Sequence, residues 1–320
     1  MVTRIPESVR ERTNRDDSHV ETVSVGDDRQ VAYTEYGCSE GVPVVFFHGT
    51  PGSRLVAALF DTAATEHGVR LLAFERPGYG NSTPWDCSIR VAGALVHAVL
   101  DDAGVESAGL VAFSGGAPYA LSTAATHPER VSRVDVVAGA TPPEVGSETP
   151  APLRVLRGLA TTAPSILRGL FRGQAWLADR LDPSFVVSQY TTSETAETAG
   201  PISDAVAAVV KEDFVEAFRA SRRGAVTEFR ATATDWDIDF DDIETEVCFW
   251  HGDDDANVPI AGVREFRERV PTAQLTVVDD ADHLRTLLQS VPEVLATYGD
   301  GGGDGESDRR RSEASVHRTD

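Results

Sequence analysis

The sequence predicts an α/β fold built on a mostly parallel sheet. Short, continuous apolar runs rich in β-branched residues recur between longer stretches of helical period, as buried parallel strands between covering helices do. Two runs of alternating polarity lead the series, the mark of a half-exposed antiparallel pair, and one long stretch without strands interrupts it.

The leading pair spans 19–25 and 30–36, joined by a Gly26-Asp27-Asp28 turn. Apolar strands follow at 42–47, 69–74, 108–113, 131–137, 247–250 and 275–278, with helical patterns at 54–66, 88–103, 117–126, 260–269 and 284–295. From Thr141 to Ile238 the strand pattern stops. Thr141-Pro142-Pro143, Pro150 and Pro152 lead into amphipathic helices, one with the apolar face Ile202, Val206, Val209, Val210, Phe214 and Phe218. Because the β-α rhythm resumes afterwards, 141–238 is read as a helical cap inserted after the sixth strand, over the carboxyl edge of a core made of 19–140 and 239–298. Residues 1–18 and 299–320 offer little to bury and read as disordered tails.

Composition narrows the function. The 29 Lys+Arg and 51 Asp+Glu of the 320 residues give a net charge of −22, which argues against nucleic acid and against an anionic membrane surface as partners. A single lysine, Lys211, stands among these cations, so arginine supplies the rest; with abundant Asp and Glu, the balance resembles that of chains that work at multimolar salt. Cys38, Cys87 and Cys248 form neither a C-x-x-C pair nor a disulfide framework. The N-terminal residues lack an apolar signal segment and no run approaches a membrane span, so the expected compartment is the cytoplasm.

The sharpest chemical signal is Val111-Ala112-Phe113-Ser114-Gly115-Gly116-Ala117-Pro118, an apolar strand that turns through a serine flanked by small residues into a helix. A nucleophile elbow needs this pattern, because the serine takes a strained backbone conformation and its neighbours two positions away must be small. A serine hydroxyl is a weak nucleophile at its free pKa and requires a base with an orienting carboxylate. Among the later histidines, His127 reads as the cap of a helix-ending loop and His251 as a packing or hydrogen-bonding residue at a strand end. His283, in the turn between the last strand and the last helix, is placed to reach the carboxyl edge. Gly252-Asp253-Asp254-Asp255-Ala256-Asn257-Val258-Pro259 follows the penultimate strand and offers the acid, assigned to Asp255, with Asp253 and Asp254 read as solvated charges. Phe46-Phe47-His48-Gly49-Thr50-Pro51-Gly52-Ser53 aims a backbone N–H, that of Thr50, at an oxyanion whose second donor is the N–H of Gly115. His48 reads as structural, since no metal-ligating partner stands at suitable spacing, and the pattern calls for no metal or cofactor.

Together with Glu75-Arg76-Pro77-Gly78-Tyr79-Gly80-Asn81-Ser82 and Asp282-His283, these segments resemble the serine-dependent α/β-hydrolases over roughly residues 20–298. The resemblance implies an eight-stranded sheet, a helical cap and an acyl-enzyme route in which Ser114 attacks and water later releases the acid. It points to small-molecule carboxylic esters or thioesters. Carbon–carbon bond hydrolases, cofactor-free perhydrolases, proline iminopeptidases and non-catalytic binding proteins share parts of the pattern, whereas a serine at the elbow argues against haloalkane dehalogenases and epoxide hydrolases. Ala112 replaces the usual glycine, Glu75 the commoner aspartate, and Asp282 the usual small residue. From Asp282 we expect a second carboxylate near His283. Arg154, Arg157, Arg168, Arg172 and Arg180, with Asp179 the sole acid among them, read first as arginine stems padding amphipathic helices, and second as a basic cap face that attracts a carboxylate or phosphate on the substrate.

Overall fold

The computed structural model describes residues 20–26, 28–145 and 150–301. The expected N-terminal tail, Asp27 of the first turn and the tail beyond Gly301 lie outside the described residues.

Strands β1 (Glu21–Ser24), β2 (Gln30–Gly37), β3 (Val42–Phe47), β4 (Val69–Phe74), β5 (Ala108–Phe113), β6 (Val131–Val137), β7 (Val247–Gly252) and β8 (Ala273–Val278) form one sheet in the order β1-β2-β4-β3-β5-β6-β7-β8. Only β2 runs against its neighbours; every other pairing is parallel. Side chains alternate between two cores. Val44, Phe46, Leu71, Ala73, Val111 and Phe113 face one side, while Val45, Phe47, Leu72, Phe74, Leu110 and Ala112 face the other. These strands are apolar at every position except Arg70 of β4 because both faces are covered, which is why they read as continuous runs.

Helices α1 (Asp61–Glu66), α2 (Ala92–Asp102) and α3 (Ala117–Thr126) lie between the early strands. Among the described residues, six helices stand between β6 and β7: α4 (Ala151–Thr162), α5 (Pro164–Arg180), α6 (Ser184–Val187), α7 (Ser193–Ala199), α8 (Asp204–Ala217) and α9 (Arg223–Ala231). After β7 come α10 (Ile260–Glu268) and α11 (His283–Gly301). Helices α2, α3 and α10 cover one face of the sheet; α1, α11 and the six-helix insertion cover the other.

Two expected helices are tighter at their starts. Residues Arg54–Phe60 and Ile89–Val91 are 3₁₀ turns that lead into α1 and α2. At the other end the expected tail from residue 299 begins too early, since α11 runs to Gly301. The glycine-rich composition hid a tertiary anchor: the Tyr298 hydroxyl donates to buried Asp135 Oδ2 at 2.9 Å and holds the helix end on β6.

Candidate active site

Ser114 leaves β5 with φ of 51°, a left-handed conformation costly for a residue with a Cβ, and opens a 3₁₀ turn that becomes α3. Glycine follows because nothing larger fits. A Cβ on Gly115 would lie 2.2 Å from Thr50 Oγ1, and one on Gly116 would lie 2.8 Å from the Phe47 carbonyl oxygen. Ala112, two residues before the serine, is fully buried and its methyl is accommodated in the core.

His283 Nε2 lies 2.9 Å from Ser114 Oγ, and Nδ1 lies 2.7 Å from Asp255 Oδ2. The structure thus brings the three sequence-predicted residues, drawn from the ends of β5, β7 and β8, into one hydrogen-bonded line. Asp255 Oδ1 is fixed by the N–H groups of Asn257 and Val258, each at 2.9 Å. Burial pushes the Asp255 carboxyl up, but the charge and hydrogen bond of His283 outweigh it and hold the group below the ordinary carboxylate range. Asp253 is exposed and Asp254 half-buried, so of the three acids only Asp255 is turned inward. The acid and histidine loops touch: a Cβ on Gly252 would meet the Ala281 carbonyl oxygen at 2.0 Å. His251 sits beneath this line. Its Nε2–H donates to the Val258 carbonyl at 2.8 Å, and burial holds its pKa low.

The backbone nitrogen of Thr50 lies against the elbow, where a Cβ on Gly115 would come within 3.3 Å of it, and neither the Thr50 nor the Gly115 N–H donates to another group among the described residues. His48, fully buried, donates from Nδ1 to the Gly49 carbonyl at 2.7 Å and accepts from Arg76 N–H at Nε2. Burial, reinforced by the Arg76 charge, keeps its pKa well below the usual imidazole value.

Sequence reasoning missed the support behind this loop. Arg76, fully buried, donates to the carbonyls of His48 at 2.6 Å and Gly49 at 3.0 Å, and pairs with Glu228 of α9 through Nε and Nη2. Glu228 also accepts from Thr50 Oγ1 at 2.6 Å and Tyr79 OH at 2.7 Å. Arg54 bridges Glu75 and Glu216, and Arg219 reaches Glu216 as well. Only the Arg76-Pro77-Gly78-Tyr79 segment signalled any of this; the partners lie up to 178 residues away in the insertion.

Asp282 behaves differently from the expectation. Its carboxylate is turned to the Arg285 guanidinium, to Arg285 N–H at 2.9 Å and to Thr195 Oγ1 at 2.6 Å, so it opens α11 and ties α7 to the histidine turn. Tyr190, in the loop before α7, stacks over the His283 ring at 6.2 Å between centroids, with Phe113 at 5.0 Å on another side.

A narrow cavity opens at Ser114, lined by Thr50, Phe113, Tyr190, Val210, Asp213 and Leu284 among others. None of the five insertion arginines lines it. Arg172 and Arg180 instead border an outer groove with Trp176, and Arg154 and Arg168 are exposed beside exposed Val155, Ile166 and Leu170. No group of His, Cys, Asp and Glu among the described residues is arranged to hold a metal ion, and no described helix is long and apolar enough to cross a membrane.

An eight-stranded sheet with one reversed strand and a serine, histidine and aspartate aligned at its carboxyl edge defines a class of hydrolytic folds. Residues 42–287 match the family model described as alpha/beta hydrolase fold, and the chain belongs to that family. It is 29% identical over 257 residues to the pimeloyl-[acyl-carrier protein] methyl ester esterase of Aromatoleum aromaticum, a match that covers 79% of this chain and 94% of that protein. It is 27% identical over 254 residues to the 2-hydroxymuconate semialdehyde hydrolase of Pseudomonas putida, covering 76% of this chain and 81% of the relative. An alpha/beta hydrolase fold protein from Nakamurella multipartita superposes with a TM-score of 0.65 at 23% identity, over 89% of this chain and all of that one, a likeness of fold.

Proposed function

We propose that this protein is a serine hydrolase that cleaves carboxylic esters or thioesters of small molecules through an acyl-enzyme. The observation that carries the reading is the line from Asp255 Oδ2 to His283 at 2.7 Å and from His283 to Ser114 Oγ at 2.9 Å, with the serine in a strained elbow. Similarity to a methyl ester esterase favours an ester over other acyl bonds.

In this mechanism Ser114 Oγ attacks the substrate carbonyl carbon while His283 Nε2 takes its proton. Asp255 holds Nδ1–H and compensates the imidazolium. The carbonyl oxygen, now an oxyanion, accepts from the Thr50 and Gly115 N–H groups. Collapse of the tetrahedral intermediate breaks the bond to the alcohol or thiol, which leaves with the proton from His283. Water then adds to the acyl-serine, giving its proton to His283, and the second collapse releases the acid and returns the proton to Ser114 Oγ. The insertion acts as the cap: Tyr190, Val210 and Asp213 form the outer wall of the cavity, and Glu228 braces the loop that carries Thr50. The test is turnover of p-nitrophenyl esters of graded chain length at multimolar KCl by the wild type and Ser114→Ala. Hydrolysis by the wild type alone is expected; equal rates in both, or none in the wild type, would defeat the proposal.

A further inference from the structure

The cavity at Ser114 contains one carboxylate that the mechanism does not use. Asp213, on α8, is 8% exposed and lines the same cavity as the serine. Its Oδ1 is saturated, accepting from Ser53 N–H at 2.9 Å, Ser53 Oγ at 2.7 Å and Val56 N–H at 2.9 Å. No hydrogen bond among the described residues reaches Oδ2, and no cation pairs with the group. The neighbouring charges are already matched: Arg54 and Arg219 serve Glu75 and Glu216, and Arg76 serves Glu228. Asp213 is therefore the uncompensated member of the buried network, held rigidly by one oxygen, with the other unpartnered in a carboxylate that lines the cavity.

A buried carboxylate without a partner is costly, and the cost disappears when a ligand supplies the missing cation and donor. We propose that Asp213 Oδ2 is a specificity-determining acceptor for a protonated amine on the substrate, so that the favoured substrates are esters or thioesters carrying an ammonium group within reach of the scissile carbonyl. This deepens the hydrolase reading and rests on it. Burial, against the donors from Ser53 and Val56, pushes the Asp213 carboxyl up to about 7, as expected of an acid that lacks a counter-ion; Glu75, Tyr36 and Tyr190 are the titratable groups whose charges interact with it. An ammonium substrate favours its ionised form. The net charge of −22 also draws cations rather than anions toward the molecule, and the cavity lining holds none of the five insertion arginines.

The experiment compares near-isosteric ester pairs that differ only in charge. On the alcohol side, 2-(dimethylamino)ethyl butyrate is set against 3-methylbutyl butyrate; on the acyl side, ethyl 3-(dimethylamino)propanoate is set against ethyl 4-methylpentanoate. In a pH-stat assay, at least one pair should show a kcat/KM ratio of about tenfold or more in favour of the amine, and Asp213→Asn should bring that ratio to about one. The ratio is read because loss of packing at Ser53 and Val56 would slow both members together. No preference in either pair, or one that survives Asp213→Asn, overturns the proposal. Ser114→Ala separates the two readings: calorimetric titration of this variant with the same esters should show the amine member binding about tenfold tighter, and the preference should vanish in Ser114→Ala/Asp213→Asn. Equal affinities there count against Asp213 whatever the turnover, whereas a wild type that binds the amine but hydrolyses neither pair counts against the hydrolase mechanism alone.

Discussion

Replacing Glu228 with alanine should unsettle the oxyanion loop from behind. Four hydrogen bonds converge on this carboxylate, two from Arg76, one from Thr50 and one from Tyr79, and both charged partners are almost fully buried. With the carboxylate gone, the Arg76 guanidinium keeps hydrogen bonds only to the His48 and Gly49 carbonyls and Thr50 Oγ1, beside the Tyr79 and Tyr119 rings, and its charge is left without a counter-ion in the core. Breaking one side of a buried ion pair costs about 3–5 kcal/mol. At about 2 °C per kcal/mol for a domain of this size, the melting temperature should fall by roughly 6–10 °C. Because the pair is buried, salt should screen this loss little. Activity should fall as well: if Thr50 moves out of register, one oxyanion donor is lost, and kcat drops by up to about 10²-fold. Circular-dichroism melts and initial rates at fixed multimolar KCl measure both. Glu228→Gln, which keeps an acceptor for Thr50 and Tyr79 but not the charge, should fall between the two proteins. A Glu228→Ala protein that melts within about 2 °C of wild type with unchanged kcat would refute the account of how the insertion supports the site.

Asp255→Asn should leave the loop geometry in place but spoil the orientation of the His283 ring, lowering kcat by about 10⁴-fold with KM little changed, as read by steady-state kinetics. The Asp213 carboxyl, raised in the folded protein to about 7 from an ordinary 3.8, contributes stability that is complete below about pH 4 and is lost as pH rises toward 7. Relative to Asp213→Asn, the wild type should therefore lose up to about 4 kcal/mol across that window, and parallel denaturant titrations at pH 4, 5.5 and 7.5 that differ by a constant offset would contradict it. With a net charge of −22, the fold should melt at progressively higher temperature as KCl rises from millimolar to multimolar, where self-repulsion is screened; a melting point independent of salt would count against the halophilic reading.

The sheet was legible because its strands are largely buried on both faces, so 42–47, 69–74, 108–113 and 131–137 carry a mainly apolar signal, interrupted by Arg70 and by Ser132, Arg133 and Asp135, that the structure returns with the same bounds. Ser114, Asp255 and His283 were legible for a related reason: each sits in a short loop whose glycines, prolines and small residues are dictated by local backbone demands. What stayed hidden depends on contacts far apart in sequence. Glu228 and Asp213 look like ordinary helix-surface acids in an acidic chain, and only packing α8 and α9 onto the loops after β3 and β4 turns them into buried partners of Thr50, Ser53 and Arg76. Asp282 misled for the opposite reason. Its adjacency to His283 in sequence suggested a second carboxylate beside the imidazole, whereas Arg285 and Thr195 take up its carboxylate. The basic stretch in the insertion forms amphipathic helices, with Arg154, Arg168, Arg172 and Arg180 exposed, Arg157 partly buried, and none of the five lining the cavity at Ser114.

The most direct test of the central claim is the covalent one. Wild-type protein incubated with a fluorophosphonate at multimolar KCl, then examined by intact mass and peptide mapping, should gain one phosphonyl group, located on Ser114, with the loss of esterase activity in step. Ser114→Ala should gain none. An unmodified wild type, or an adduct on any residue other than Ser114, would contradict the assignment of Ser114 as the nucleophile activated by His283 and Asp255.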